Sequence, residues 1–224
     1  CSPTDGFARK RKSKGVMPVN QILKLNGIIT KNASPVPEFS GAKEGDILET
    51  FESGFAVIRI PGLGIFRMGP KTKLGLTKFA NRDKSRFELF KGEILCLFRR
   101  AGDHELKLPN SVVSLQGTTL YASTDSYEKS DEVCLCDGKI QVRTFGDASL
   151  VPAPAQPTLV PAAPATADPG SGNASSGKLS VSSQWMHKLI NIKGENIIEV
   201  PDNAELLRHS DHLIKELESL YALP

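Results

Sequence analysis

The sequence predicts a mainly β protein of antiparallel strands, in a sandwich or solenoid-like arrangement, that closes with one short helical segment. Three observations predict it. Short runs rich in β-branched and aromatic residues alternate in polarity, as half-buried strands do. Gly, Pro and Asp punctuate those runs at close intervals. A 3.6-residue apolar period appears only at the end of the chain, in "AELLRHSDHLIKELESLY".

Composition divides the chain into four zones. Residues 1–19 are polar and basic without periodicity, and read as a tether. Residues 20–146 carry the strand pattern. Residues 147–178 are dominated by Pro, Ala, Ser and Gly. Proline fixes φ and lacks a donor, so this zone reads as an extended spacer with a Gly/Ser end. Residues 179–224 regain apolar pattern and read as a hairpin followed by an amphipathic helix.

The strands follow in order. "AVIRI" and "GIFRM" flank Pro61-Gly62, a turn signal. "KTKLGL" places Thr72, Leu74 and Leu76 on one face. "RFELF" and "GEILCLF" bracket Lys91-Gly92, read as a tight turn, and "ELKLP" alternates again. "SVVSLQGTTLYAS" breaks at Gln116-Gly117. "EVCLCDGKIQV" is the strongest hairpin signal, because Asp137-Gly138 suits a type I′ turn. "NIKGENIIEV" suggests a second hairpin at Lys193-Gly194. Asp202 or Asn203 then caps the helix. Its apolar stripe is Leu206, Leu213, Leu217 and Leu220, opposite Glu205, Arg208, Asp211, Lys215 and Glu218. The stripe has two destinations, the chain's own β-domain or a partner protein, and the long spacer favours considering the partner.

The chemistry-bearing residues are few. Of the four cysteines, Cys134 and Cys136 share a strand face and are spaced too closely for a zinc pair, while a bond from Cys96 to either is open. All three also suit a core as small hydrophobes. His209 and His212 sit on the helix without a third ligand, so no metal site is expected. There is no nucleophile elbow, phosphate loop or dinucleotide fingerprint, and no catalytic residue is assigned. The expected activity is therefore non-enzymatic, with no cofactor. Net charge is only +3, with three tyrosines and one tryptophan, so no nucleic-acid platform is expected. Cations concentrate at Arg9, Lys10, Arg11, Lys12 and Lys14, a solvated end or a contact for anionic lipid heads. No run of apolar residues is long enough to span a bilayer as a helix.

The order of signals in residues 25–143 resembles the FecR domain, a periplasmic all-β module. "EGDILETFESGFAVIRI" supplies Gly45, Asp46, Thr50, Ser53 and Ala56, with Ser53 and Ala56 one residue further apart than in the family pattern. "GLGIFRMGPKTKLGL" supplies Pro70, Thr72 and Leu74, and the next segment supplies Leu89 and Gly92. Gly117 and Thr118 in "GTTLYAS" and the closing "VCLCDGKIQV" complete the match. The resemblance implies a periplasmic compartment and protein partners. Members of the family include signal transducers with a sigma-factor-binding segment and a transmembrane helix, and neither is visible in this sequence.

In that compartment an opening cysteine resembles the processed end of a bacterial lipoprotein. Cys1 is then the expected acylation site, and buried acyl CH₂ groups would anchor at roughly 0.8 kcal/mol each. Ser2 in place of Asp implies the outer membrane, on its periplasmic face, with periplasm or cell surface as the alternative. The expected function is an envelope lipoprotein that scaffolds a multi-subunit assembly. Two alternatives stand beside it: a FecR-type regulator that senses an outer-membrane transporter, and a cell-wall-binding module.

Overall fold

The computed structural model describes residues 20–79, 83–99, 102–125, 127, 129–145, 175–176, 178–183, 188–200 and 204–222. Among the described residues strands dominate, and one helix follows the last of them. In chain order they are β1 (Gln21–Asn26), β2 (Ile29–Lys31), β3 (Ser34–Pro35), β4 (Ile47–Thr50), β5 (Phe55–Ile60), β6 (Gly64–Met68) and β7 (Lys73–Lys78). Then come β8 (Lys84–Phe98), β9 (Asp103–Lys107), β10 (Ser111–Asp125) and β11 (Ser130–Thr144). Further along the chain follow β12 (Ser175–Ser176), β13 (Lys178–Ser183), β14 (Lys188–Lys193), β15 (Asn196–Val200) and α1 (Ala204–Tyr221). All pairings are antiparallel except β8 with β9.

Three strands, β8, β10 and β11, are each 15 residues long. The sequence predicts turns near their middles, at Lys91-Gly92, Gln116-Gly117 and Asp137-Gly138. The structure corrects this: each is a bend inside one continuous strand. Gly92, Gly117 and Gly138 take φ of 85°, 56° and 98°, which glycine adopts at little steric cost. The pairing register slips at the Gly117 and Gly138 bends, where Gln116 faces Lys139 but Thr119 faces Asp137. These slips are β-bulges.

The bends divide one continuous sheet into two leaves. The first leaf joins β4, β7, the first half of β8, β9, the first half of β10, the second half of β11, and β13. The second joins β1, β5, β6, the second half of β8, the second half of β10, the first half of β11, β14 and β15. Their inner faces share one core. Phe66 of the second leaf lies 4.7 Å from Phe87 of the first, centroid to centroid, and Phe98 sits edge-on to Phe66 at 5.2 Å. Such aromatic pairs add about 0.5–1.5 kcal/mol beyond area burial.

Each bend also shifts the alternation by one residue. In β8 the inward residues are Phe87 and Leu89 before Gly92, but Ile94, Cys96 and Phe98 after it. In β11 they are Val133 and Leu135 before Gly138, but Ile140 and Val142 after it. The extra residue of the bulge keeps the apolar set facing inward as the strand changes leaf.

The C-terminal zone is not a separate body. Its expected hairpin at Lys193-Gly194 is present as β14 and β15, with Gly194 at φ 60°. That hairpin extends the second leaf through β14 and β11, and β13 extends the first leaf through β11. Ile190, Ile192, Ile197 and Val181 enter the common core. β12 and the first residue of β13 also fall inside the expected spacer. The expected helix is present as α1, and its capping candidates Asp202 and Asn203 lie outside the described residues.

At Gly138 a Cβ would stand 2.4 Å from the Gly117 carbonyl oxygen, so the two bends nest. Gly138→Ala combines that clash with an unfavourable φ. It is expected to destabilise by about 2–4 kcal/mol, read as a lower urea midpoint, whereas Gly45→Ala, with open space around its Cβ, should cost less.

Candidate functional site

Of the residues that carry the family resemblance, Ala56, Leu74 and Leu89 enter the core, while Asp46, Thr50, Thr72, Gly92, Gly117 and Thr118 build corners and staples. Thr50 is buried, and its hydroxyl donates to the Gly69 carbonyl at 2.6 Å while accepting from the Thr72 amide at 2.9 Å. The Thr72 hydroxyl accepts from the Glu93 amide at 2.9 Å. Thr72 stands against Gly92, where a Cβ would meet its Oγ1 at 2.4 Å. Thr118 repeats the device at the second bend, accepting from the Gln116 amide at 3.0 Å and donating to the Lys139 carbonyl at 3.0 Å. Asp46 accepts from the Lys43 amide at 2.8 Å and the Asn32 side chain at 2.9 Å. These contacts satisfy buried polar groups where the ladder is interrupted. Sequence reading missed Asp131, a fully buried carboxylate that accepts from the Asn110 amide at 2.9 Å and the Ser111 hydroxyl at 2.8 Å.

The outer face of the second leaf is apolar and covered. Val57, Ile65, Leu95, Leu97, Cys134 and Cys136 point away from the main core and form one cluster with Ile214 and Leu217 of α1, which packs chiefly on β6 and β8. Because both faces of this leaf are buried, Ile94–Phe98 reads as an unbroken apolar run. Leu217 of α1 is fully buried, Ile214 is nearly so, and Leu213, Leu220 and Tyr221 pack around them. Of the expected partner stripe, Leu213, Leu217 and Leu220 thus contact the chain's own sheet, and the side chain of Leu206 lies outside the described residues. Glu218, expected on the solvent side, pairs instead with Arg99 at 3.1 Å, and the Arg99 guanidinium lies 5.8 Å from the Tyr221 ring centre.

Cys96 faces the inner core, whereas Cys134 and Cys136 face the outer cluster that α1 joins. Among the described residues none of the three forms a disulfide, and their opposite faces explain why Cys96 pairs with neither. Burial pushes the Cys96 thiol far above its ordinary range. Cys1 and the cations Arg9, Lys10, Arg11, Lys12 and Lys14 lie outside the described residues. His209 is also outside the side chains described, and His212 is exposed on α1.

Beside the helix-covered patch, Tyr121 donates to Glu93 at 2.7 Å. Burial first, and the adjoining Glu93 second, push the tyrosine's pKa up, and burial raises that of Glu132. This carboxylate sits across one strand pairing from Ser123, which pairs on its other side with Glu93.

The outer face of the first leaf is charged, and no element among the described residues covers it. Arg86 pairs with Glu105 at 2.6 Å, Lys107 with Glu88 at 2.6 Å, and Lys84 with Asp103 at 3.7 Å. Two adjoining clefts cut this face, of about 400 and 360 Å³. They share Ser114 and Gln116. His104, fully buried at the edge of the larger cleft, has Nδ1 2.9 Å from the Ser85 hydroxyl and stacks on Phe98 at 5.1 Å. Among the described residues, no group of three or more His, Cys, Asp and Glu is placed to hold a metal. Among the described residues, no helix is long and apolar enough to cross a membrane.

No family model matches the chain, and no curated protein matches it. Solved structures do. Two crystal structures of a candidate anti-sigma factor from Parabacteroides distasonis ATCC 8503 superpose with a TM-score of 0.50 at 12% identity. Each match covers 72% of this chain and 62% of that one, so the likeness spans under two thirds of the neighbour's length. At that identity the likeness establishes a shared β architecture.

Replacing Leu217 by Asp places a charge on a buried apolar surface, which costs several kcal/mol unless the surface opens. The variant should release α1 and let Cys134 and Cys136 react with a thiol reagent, while Cys96 stays protected until global unfolding. Peptide mass mapping reads each thiol separately. Simultaneous labelling of all three would contradict the two-faced assignment.

Proposed function

We propose that this chain is a non-enzymatic protein-binding module of the bacterial cell envelope, with the β body as the scaffold of a larger assembly. One observation carries the reading. The chain covers the apolar outer face of one leaf with its own helix, while among the described residues nothing covers the charged, cleft outer face of the other. A partner therefore meets a polar surface on a rigid support, as a recognition face requires. Among the family signals, Asp46, Thr50, Thr72, Gly92, Gly117 and Thr118 are spent on corners, which fits a scaffold better than a reaction centre. The envelope location rests on the FecR resemblance.

A second reading is a FecR-type regulator that senses an outer-membrane transporter. The fold likeness to the anti-sigma factor structures favours it. The two separate in one experiment. In-cell cross-linking of the full-length protein, followed by mass spectrometry, should recover envelope proteins linked to the open face. Deletion of the gene should leave transporter transcription unchanged if the protein is a scaffold, and alter it if the protein is a regulator. Recovery of no cross-linked envelope protein would contradict both.

A further inference from the structure

We infer that the two clefts on the open face form one binding track for an extended acidic peptide segment of a partner protein. The inference rests on the protein-binding reading above and names the site and the chemistry of what it holds. The clefts share Ser114 and Gln116 and run across β8, β9, β10, β11 and β13. Four inter-strand steps of about 4.8 Å make a track of roughly 19 Å, which about six extended residues span.

Charge selects the occupant. On this face Asp103, Glu105 and Glu88 already pair with Lys84, Arg86 and Lys107. Lys78 lines one end of the track and Lys139 the middle, and neither has an ion pair with a described residue. Beyond the second cleft, Arg143 and Lys178 stand directly opposite each other in register. Like charges so placed destabilise a sheet. Glu105 reaches Arg143 only at 3.8 Å, and Lys178, which is exposed, has no ion pair with a described residue. An incoming carboxylate between Arg143 and Lys178 relieves that repulsion, and others meet Lys139 and Lys78.

The track is not uniformly basic, and this favours a peptide over a densely charged polymer. Asp103 and Glu105 in the larger cleft repel a chain with a charge on every unit. Carboxylates spaced along a peptide avoid them, while Ser114, Gln116, Gln141 and Ser180 offer hydrogen bonds to its backbone. No Phe, Tyr or Trp is among the described residues lining either cleft, and the His104 ring is fully buried against Phe98, so a sugar ring finds no open stacking surface.

The test uses the full chain and a fluorescein-labelled peptide of about eight residues alternating glutamate and serine, long enough to fill the track. Anisotropy is read at low ionic strength, where screening is weak. Lys139→Glu combined with Lys178→Glu should weaken binding about tenfold or more, because it replaces attraction by repulsion. Lys215→Glu, on the exposed side of α1, should leave it unchanged. Unaltered thermal unfolding of both variants shows that the fold persists. Equal affinity for the wild type and the double variant would overturn the track, as would tighter binding of dextran sulfate than of the peptide. Cross-linked partners recovered equally by the wild type and the double variant would overturn the track alone. Peptide binding without any cross-linked partner would instead fail the wider protein-binding reading.

Discussion

The structure depends on glycines that let a strand change leaf without leaving its sheet. Gly92, Gly117 and Gly138 each place a left-handed residue near the middle of a 15-residue strand. A long flat strand could line only one wall of the core. A bent one lines both, so β8, β10 and β11 hold the two walls together covalently. The bend interrupts the hydrogen-bond ladder, and unpaired buried groups there cost free energy. Thr50 and Thr72 supply the missing partners near Gly92, and Thr118 does so between Gly117 and Gly138. Corner and pin are thus one device.

This constraint assigns the surfaces. Once the inner faces are committed to a shared core, each leaf keeps one outer face. The second leaf's outer face is apolar, and a solvent-exposed apolar face of that extent is a liability for association. The chain covers it with α1, through Ile214 and Leu217, and clamps the helix end with Arg99 on Glu218. The first leaf's outer face is laced with ion pairs that contribute little each in water, and no described element covers it. Function is assigned to the open leaf because the other is already occupied.

Much of this architecture was legible in the sequence. The alternation of "ELKLP" and of "NIKGENIIEV" found β9 and the β14–β15 hairpin, and the 3.6-residue period found α1. The bends were misread as turns because turn and bulge make the same local demand. Both need a residue at positive φ, and Asp-Gly or Lys-Gly satisfies either. The change of parity did not separate them: Val133 and Leu135 occupy odd positions and Ile140 and Val142 even ones, as a two-residue hairpin opposing Leu135 to Ile140 would also require. The apparent domain boundary failed for a different reason. A Pro/Ala-rich stretch marks where the backbone leaves regular structure, and says nothing of whether the chain returns to the same sheet. The open-face clefts left no sequence mark, because Lys78, Ser114, Lys139 and Ser180 converge only through strand register.

The central claim is that the segment after the spacer is part of one cooperative body, completing both leaves and sealing one of them. Native-state hydrogen exchange tests it most directly. The amides of Ile190 and Ile192 in β14 should exchange with the same opening free energy as those of Val133 and Leu135 in β11, because all four side chains share one core. Exchange of the β14 amides through a separate, much easier opening, with β11 still protected, would contradict the account.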